Sequence, residues 1–178
     1  NGNIWMGITD FSFDGLVKFD GDNWIIYSPT NSDMPFGVVK HVAIEENGNV
    51  WIGNGDNGIS VSGGLAMFDG DNWVEFNEDN SDLPDDNISG IAIDGYGNKW
   101  IATYEGGLVK YDGTNFTIFN EENSGLPVTG LSCISIDSDN NIWMGTDHWL
   151  WGAQGLVRFD GENWTVYTEG NSGLPDEE

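Results

Sequence analysis

At 178 residues the chain is long enough to bury a sizeable core as one domain. Thirty acidic residues against five basic leave a net charge of −25, a field that repels phosphate backbones and anionic lipid and so argues against nucleic-acid and membrane-surface roles. Nine Trp, nine Phe and five Tyr are far more aromatics than a disordered acidic segment carries, so the chain reads as folded and all-β despite its 26 Gly.

A single cysteine, Cys133, excludes an internal disulfide. No apolar run approaches the roughly 18 residues a membrane helix needs. Asn1 falls inside a repeat, so any targeting segment is expected upstream of it.

Four stretches share one internal spacing: Gly15 to Pro35, Gly64 to Pro84, Gly107 to Pro127 and Gly155 to Pro175. Each reads as two short strands joined at an Asp-Gly turn and followed by an Asn-Ser-x-Leu/Met-Pro loop. A second marker, Asn-x-Trp, ends at Trp5, Trp51, Trp100 and Trp143, with periods of 46, 49 and 43 residues. From hairpin glycine to the next strand's aromatic (Trp24, Trp73, Phe116, Trp164) is nine residues every time, from there to the proline eleven, and from the proline to the next Trp sixteen. Only the run from that Trp to the hairpin glycine varies, at ten, thirteen, seven and twelve residues. The segments Val38 to Ile44, Ile88 to Ile93 and Leu131 to Ile136 read as first strands. Acidic Gly/Asn turns follow them, with Gly48, Gly97 and Asn140 expected at positive φ. The second strands are then VWIGN, KWIAT and IWMGT.

Periods of this length with four strands per repeat predict a β-propeller of four-stranded antiparallel blades, approximately 1–35, 36–84, 85–127 and 128–178 within one domain. The small residues Gly90, Cys133, Ala43, Ala92 and Ser135 suit an innermost strand where blades converge, so Cys133 is expected as a packed thiol and His41 as a satisfied buried histidine. The first blade begins at its second strand, and the innermost edge is expected to pair with further blades of a longer chain or with another copy.

Asn-x-Trp-(Ile/Met)-Gly, Gly-Leu-Val-Lys-Phe-Asp-Gly and Asn-Ser-Gly-Leu-Pro together resemble the two-component regulator propeller repeats of bacteria. The resemblance implies sensor regions of membrane-spanning hybrid histidine kinases, or secreted proteins with a sorting domain. It therefore implies an extracellular or periplasmic recognition role toward a glycan or a protein.

In a meander blade the variable loops share one rim with the Asn-Ser-x-Leu-Pro loops. The variable segments are Ile8 to Asp14, Asn54 to Gly63, Thr103 to Gly106 and Thr146 to Gln154. Phe11, Phe13, Tyr104, Trp149 and Trp151 would offer flat faces to a sugar or peptide, with Asp14, Asp56, Glu105, Asp147 and His148 as polar partners. Trp149, Trp151 and His148 are expected as the leading contacts, and aromatics folded under their own loops are the competing reading. No Ser-His-Asp order, HExxH motif, phosphate loop or Cys/His cluster occurs, so no catalytic residue and no cofactor is assigned. Ca²⁺ would have only oxygen ligands, in turns such as Asp20-Gly-Asp-Asn23 and Asp137-Ser-Asp-Asn-Asn141, where turn chemistry explains the same residues. A structural or assembly module is the alternative to ligand binding, and a propeller-based glycan lyase or hydrolase the third reading.

Overall fold

The computed structural model describes residues 2–10, 13–55, 63–146 and 155–175, and every regular element among them is a β-strand. The first sheet is β1 (Ile4–Asp10), β2 (Phe13–Phe19) and β3 (Trp24–Tyr27). The second is β4 (His41–Ile44), β5 (Val50–Asn54), β6 (Gly64–Phe68) and β7 (Trp73–Phe76). The third is β8 (Ile88–Ile93), β9 (Lys99–Thr103), β10 (Leu108–Tyr111) and β11 (Phe116–Phe119). The fourth is β12 (Leu131–Ile136), β13 (Ile142–Thr146), β14 (Leu156–Phe159) and β15 (Trp164–Tyr167). Each sheet is an antiparallel meander in chain order, so one sequence repeat builds one blade. The innermost strands adjoin one another, β4 beside β8 and β8 beside β12, as radial stacking requires.

Two segments depart from the sequence reading. The strand expected over Val38 to Ile44 begins only at His41, because Phe36 and Val39 are buried against the first sheet instead of continuing the ladder. The variable segment Ile8 to Asp14 is largely a hairpin extension: Ile8 pairs with Gly15, Thr9 with Asp14 and Asp10 with Phe13. The turns behave as expected. Gly48 (φ 96°), Gly97 (φ 83°) and Asn140 (φ 61°) share one left-handed position, where only Asn140 carries a side chain.

A sheet that is apolar on both faces must bury both, and three cores form between consecutive sheets. Leu16, Leu65 and Leu108 are fully buried on the face each blade turns to its successor, called trailing here. Val50, Ile52 and Ile101 are fully buried on the leading face, toward the predecessor. Four rings weld each junction. Between the second and third sheets, Trp51 stacks on Phe76 at 5.6 Å, Tyr111 meets both (5.7 and 5.4 Å), and Phe116 stacks on Tyr111 at 4.5 Å. Trp100, Phe119, Phe159 and Trp164 repeat the pattern at the third junction, and Trp5, Tyr27, Phe68 and Trp73 at the first. Offset and edge-on pairs of this kind add about 0.5–1.5 kcal/mol each beyond their burial.

Small inner residues have the expected cause at Gly90, where a Cβ would lie 2.7 Å from Ile134 Cγ2 of the next blade. Cys133 does not follow. It is exposed, because no described sheet lies on the trailing face of the fourth blade. His41 is half-buried, and burial, with Lys40 beside it, holds its imidazole below the usual 6.5.

Candidate ligand-binding rim

The Asn-Ser-x-Leu-Pro loops are scaffold. Asn80 shows why: its Oδ1 accepts the Asn77 N–H, its Nδ2 donates to Glu75 O, and Ser81 Oγ donates to Asn77 O. Asn31, Asn123 and Asn171 repeat the clasp. Thus fixed, the loop drives Met34, Leu83 or Leu126 into the junction below, which accounts for its invariant length.

The variable connections lie against these loops. In the third blade Tyr104 N–H donates to Asn87 O at 3.0 Å and Glu105 N–H to Asp85 Oδ2 at 2.6 Å, which anchors the β9–β10 connection on the loop arriving from the second blade. Tyr104 is half-buried and Glu105 exposed. In the second blade a Cβ at Gly63 would lie 3.3 Å from Asp86 O, and in the first a Cβ at Gly37 would lie 3.1 Å from the Cβ of the exposed Asp14. Variable and fixed loops thus occupy one rim. Asp86 and Glu78 exchange backbone N–H bonds there (2.9 and 3.2 Å). Burial, with Glu78, Asp85 and Asp79 nearby, pushes the Asp86 carboxyl up from its ordinary value.

Of the residues singled out from sequence, Tyr104 and Glu105 come together in one connection and Asp14 sits on the same rim. Phe13 is placed by its backbone at the start of β2. Phe11, Asp56, Asp147, His148, Trp149 and Trp151 lie outside the described residues. Among the described residues no group of three or more His, Cys, Asp or Glu is placed to hold a metal ion. The oxygen-rich turns spend their carboxylates internally. Asp20 Oδ1 accepts the N–H groups of Asp22 and Asn23, while Asp137 takes those of Asp139 and Asn141, the Asn141 side chain and the Trp143 indole. The Trp143 indole and the Asn141 amide draw the Asp137 carboxyl far below its usual range.

On the opposite face the sequence reading missed a recurring device. The carboxylate six residues before each tryptophan accepts its indole N–H: Glu45 for Trp51 (3.0 Å), Asp94 for Trp100 (2.9 Å) and Asp137 for Trp143 (2.9 Å). A cation completes the set, with Lys110 over Trp100 at 5.5 Å, Arg158 over Trp143 at 5.9 Å and Lys18 over Trp5 at 5.5 Å. The second blade has Met67 across from Trp51, and there Lys99 reaches back from the third blade. It lies 5.1 Å from the Trp51 ring and pairs with Glu45 at 2.9 Å. Burial opposes the charge on Glu45, but the Lys99 ammonium, Asn47 and the Trp51 indole together hold its pKa below the usual range. Also on this face, a cleft of about 220 Å³ opens between the first two blades, lined by Trp5, Lys18, Tyr27, Glu45, Glu46 and Phe68 among others.

Residues 125–148 match the family model of the two component regulator propeller. The resemblance read from the repeats therefore holds, and the chain carries a two component regulator propeller repeat within an all-β partial propeller. The whole fold is similar to the extracellular domain assigned to hybrid two component system BT3049 of B. thetaiotaomicron, with TM-score 0.77 and 25% identity over 98% of this chain and 22% of that one. The chain thus spans about a fifth of that domain. It also resembles a gluconolactonase-like protein (TM-score 0.58, 13% identity, 88% of this chain and 57% of that one). YCF48 bound to D1 peptide is similar in fold too (TM-score 0.57, 14% identity, 87% and 47%). No curated protein matches. No helix among the described residues is long and apolar enough to cross a membrane.

Proposed function

We propose that the chain is a recognition segment of an extracellular or periplasmic sensor-type propeller, and that it takes a glycan or protein ligand on the rim where variable and fixed loops meet. The observation that carries this reading is the likeness to the extracellular domain of a two component system over nearly the whole chain, joined to a rim whose scaffold is invariant and whose connections vary. YCF48, of the same fold, is seen with a peptide, which favours a protein segment as one ligand class. The gluconolactonase-like neighbour has the fold with a different activity, so the fold alone does not exclude catalysis. Our reading is non-enzymatic.

Tyr104 and Glu105, in the β9–β10 connection, are the contacts we propose among the described residues. A glycan array and a peptide library screened with the chain would supply a ligand, and calorimetry on Tyr104→Ala and Glu105→Gln would locate it. Weakened binding with an unchanged unfolding midpoint supports the rim. Unchanged affinity in both variants, and in Trp149→Ala with Trp151→Ala, refutes it.

A further inference from the structure

Asp85 can do on the rim what the residues at its repeat position cannot. It follows the loop proline of the second blade, where the first blade has Phe36 and the third Val128, and neither of those side chains accepts a hydrogen bond. Asp85 Oδ1 accepts the Asn87 N–H at 2.8 Å, and Oδ2 accepts the Glu105 N–H at 2.6 Å. One carboxylate thus spans the loop that leaves the second blade and the β9–β10 connection of the third. That connection is the shortest of the four variable runs, seven residues from Trp100 to Gly107, and it is closed in from both sides. A Cβ at Gly106 would lie 2.7 Å from Pro84 Cγ and 3.0 Å from Asp85 Cβ, and one at Gly130 of the next loop would lie 3.3 Å from Tyr104 O. The Tyr104 N–H adds its own bond to Asn87 O at 3.0 Å.

Resting on the recognition role proposed for the rim, we infer that the ligand is taken at the crossing of the second and third blades, and that Asp85 is the positioning residue of that site. Both of its oxygens are engaged by backbone N–H groups, so it acts through Glu105 and Tyr104 and not by touching the ligand. A charge-assisted bond to the Glu105 backbone is short and strong. It sets the direction in which two consecutive side chains leave the connection, the half-buried Tyr104 ring and the exposed Glu105 carboxylate. A tip held this way before binding loses little freedom when the ligand arrives, and that saving appears as affinity. Without the carboxylate the Glu105 N–H turns to solvent, and the seven-residue connection loses the bond that ties Glu105 to the neighbouring blade's loop.

The test pairs amide hydrogen exchange with calorimetry on the 178-residue chain. The probe is a hexapeptide of alternating arginine and glycine, whose guanidinium groups a carboxylate such as Glu105 accepts in a fork. In Asp85→Ala the Glu105 amide should exchange about tenfold faster or more. The same variant should bind the hexapeptide about tenfold more weakly. Asp82→Asn, which removes an exposed charge from the same loop, should stay within about twofold of the parent and so separates positioning from net charge. If Asp85→Ala loses its near-ultraviolet circular dichroism, Asp85→Asn, which keeps one of the two acceptors, replaces it. A Glu105 amide that exchanges as in the parent overturns the inference, as does an Asp85 variant that loses no more affinity than Asp82→Asn. Tyr104→Ala tells this failure from that of the rim: if it binds like the parent, the rim reading falls and the positioning role with it, whereas a weakened Tyr104→Ala beside an unchanged Asp85→Ala overturns the positioning role alone.

Discussion

Replacing Asp94 by alanine isolates the carboxylate–indole clasp. Asp94 is nearly buried, and its two oxygens accept the N–H groups of Tyr96 and Asn98, the Asn98 amide and the Trp100 indole, at 2.7 to 2.9 Å. The indole is the costly one to strand. Trp100 lies in the junction between the third and fourth blades, where water does not replace the lost acceptor, and an unsatisfied buried donor costs about 1–3 kcal/mol. Losing the charged cap of the turn adds to this, so the expected loss is about 3 kcal/mol. In urea, with m near 2 kcal/mol/M, the midpoint should fall by roughly 1 to 2 M. A second signature is in the pH dependence. Burial works against the Asp94 carboxylate, yet Asn98 and Trp100 outweigh it and hold its pKa below 3.8. A carboxyl with a depressed folded pKa stabilises fully above its unfolded value and loses that contribution as pH falls through the folded one. Asp94→Ala should therefore narrow its deficit against the parent below about pH 4. An unchanged urea midpoint at neutral pH would refute the clasp.

Glu45→Gln and Lys99→Met, measured singly and together, should show a coupling of about 1–2 kcal/mol, because the pair is largely buried and bridges two blades; additive effects would count against the bridge. Asn140→Gly should destabilise by about 0.5–1 kcal/mol although it relieves a positive φ, because Asn140 Oδ1 accepts the Gly95 N–H of the neighbouring blade at 2.8 Å; a stabilised variant would show that the bridge contributes nothing. His41, held below its ordinary value by burial, stabilises above pH 6.5 and loses that contribution as pH falls toward its folded pKa. His41→Asn should flatten the stability profile below about pH 6.5, and an unaltered slope would exclude His41 as its source.

The four-strand repeat, the strand order and the left-handed turn position were legible because each rests on spacing, and spacing survives changes of side chain. The rim was legible by parity: in a meander the second connection and the exit loop must emerge together. The clasp was missed for a different reason. The acid six residues before Trp51, Trp100 and Trp143 is plain in the sequence, but it lies in a turn where Asp and Asn already have a sufficient local explanation. Only geometry shows the indole reaching it. Lys99 was hidden by repeat alignment, since Val50 and Ile142 at the same position are apolar, and its partner Glu45 belongs to a neighbouring repeat. Cys133 was misplaced because its inner-strand position guarantees burial only where a further blade covers it.

The deployment of the cations constrains what the rim can receive. The chain has five basic residues, and four of them, Lys18, Lys99, Lys110 and Arg158, lie over the repeat tryptophans on the trailing faces. They are spent on ring faces, Glu45 and Asn141. Asp85, Asp86, Glu78 and Glu105 therefore crowd the rim between the second and third blades with no cation drawn to them from this set, and burial first, with Glu78, Asp85 and Asp79 adding to it, raises the pKa of Asp86. Such a field repels phosphates, sulfates and uronic acids and favours a neutral, hydroxyl-rich or cationic ligand. Within the proposed recognition role, a neutral glycan or a basic peptide segment is then the chemistry that fits. A basic peptide would show an association rate that falls as salt is raised, whereas a neutral glycan would not.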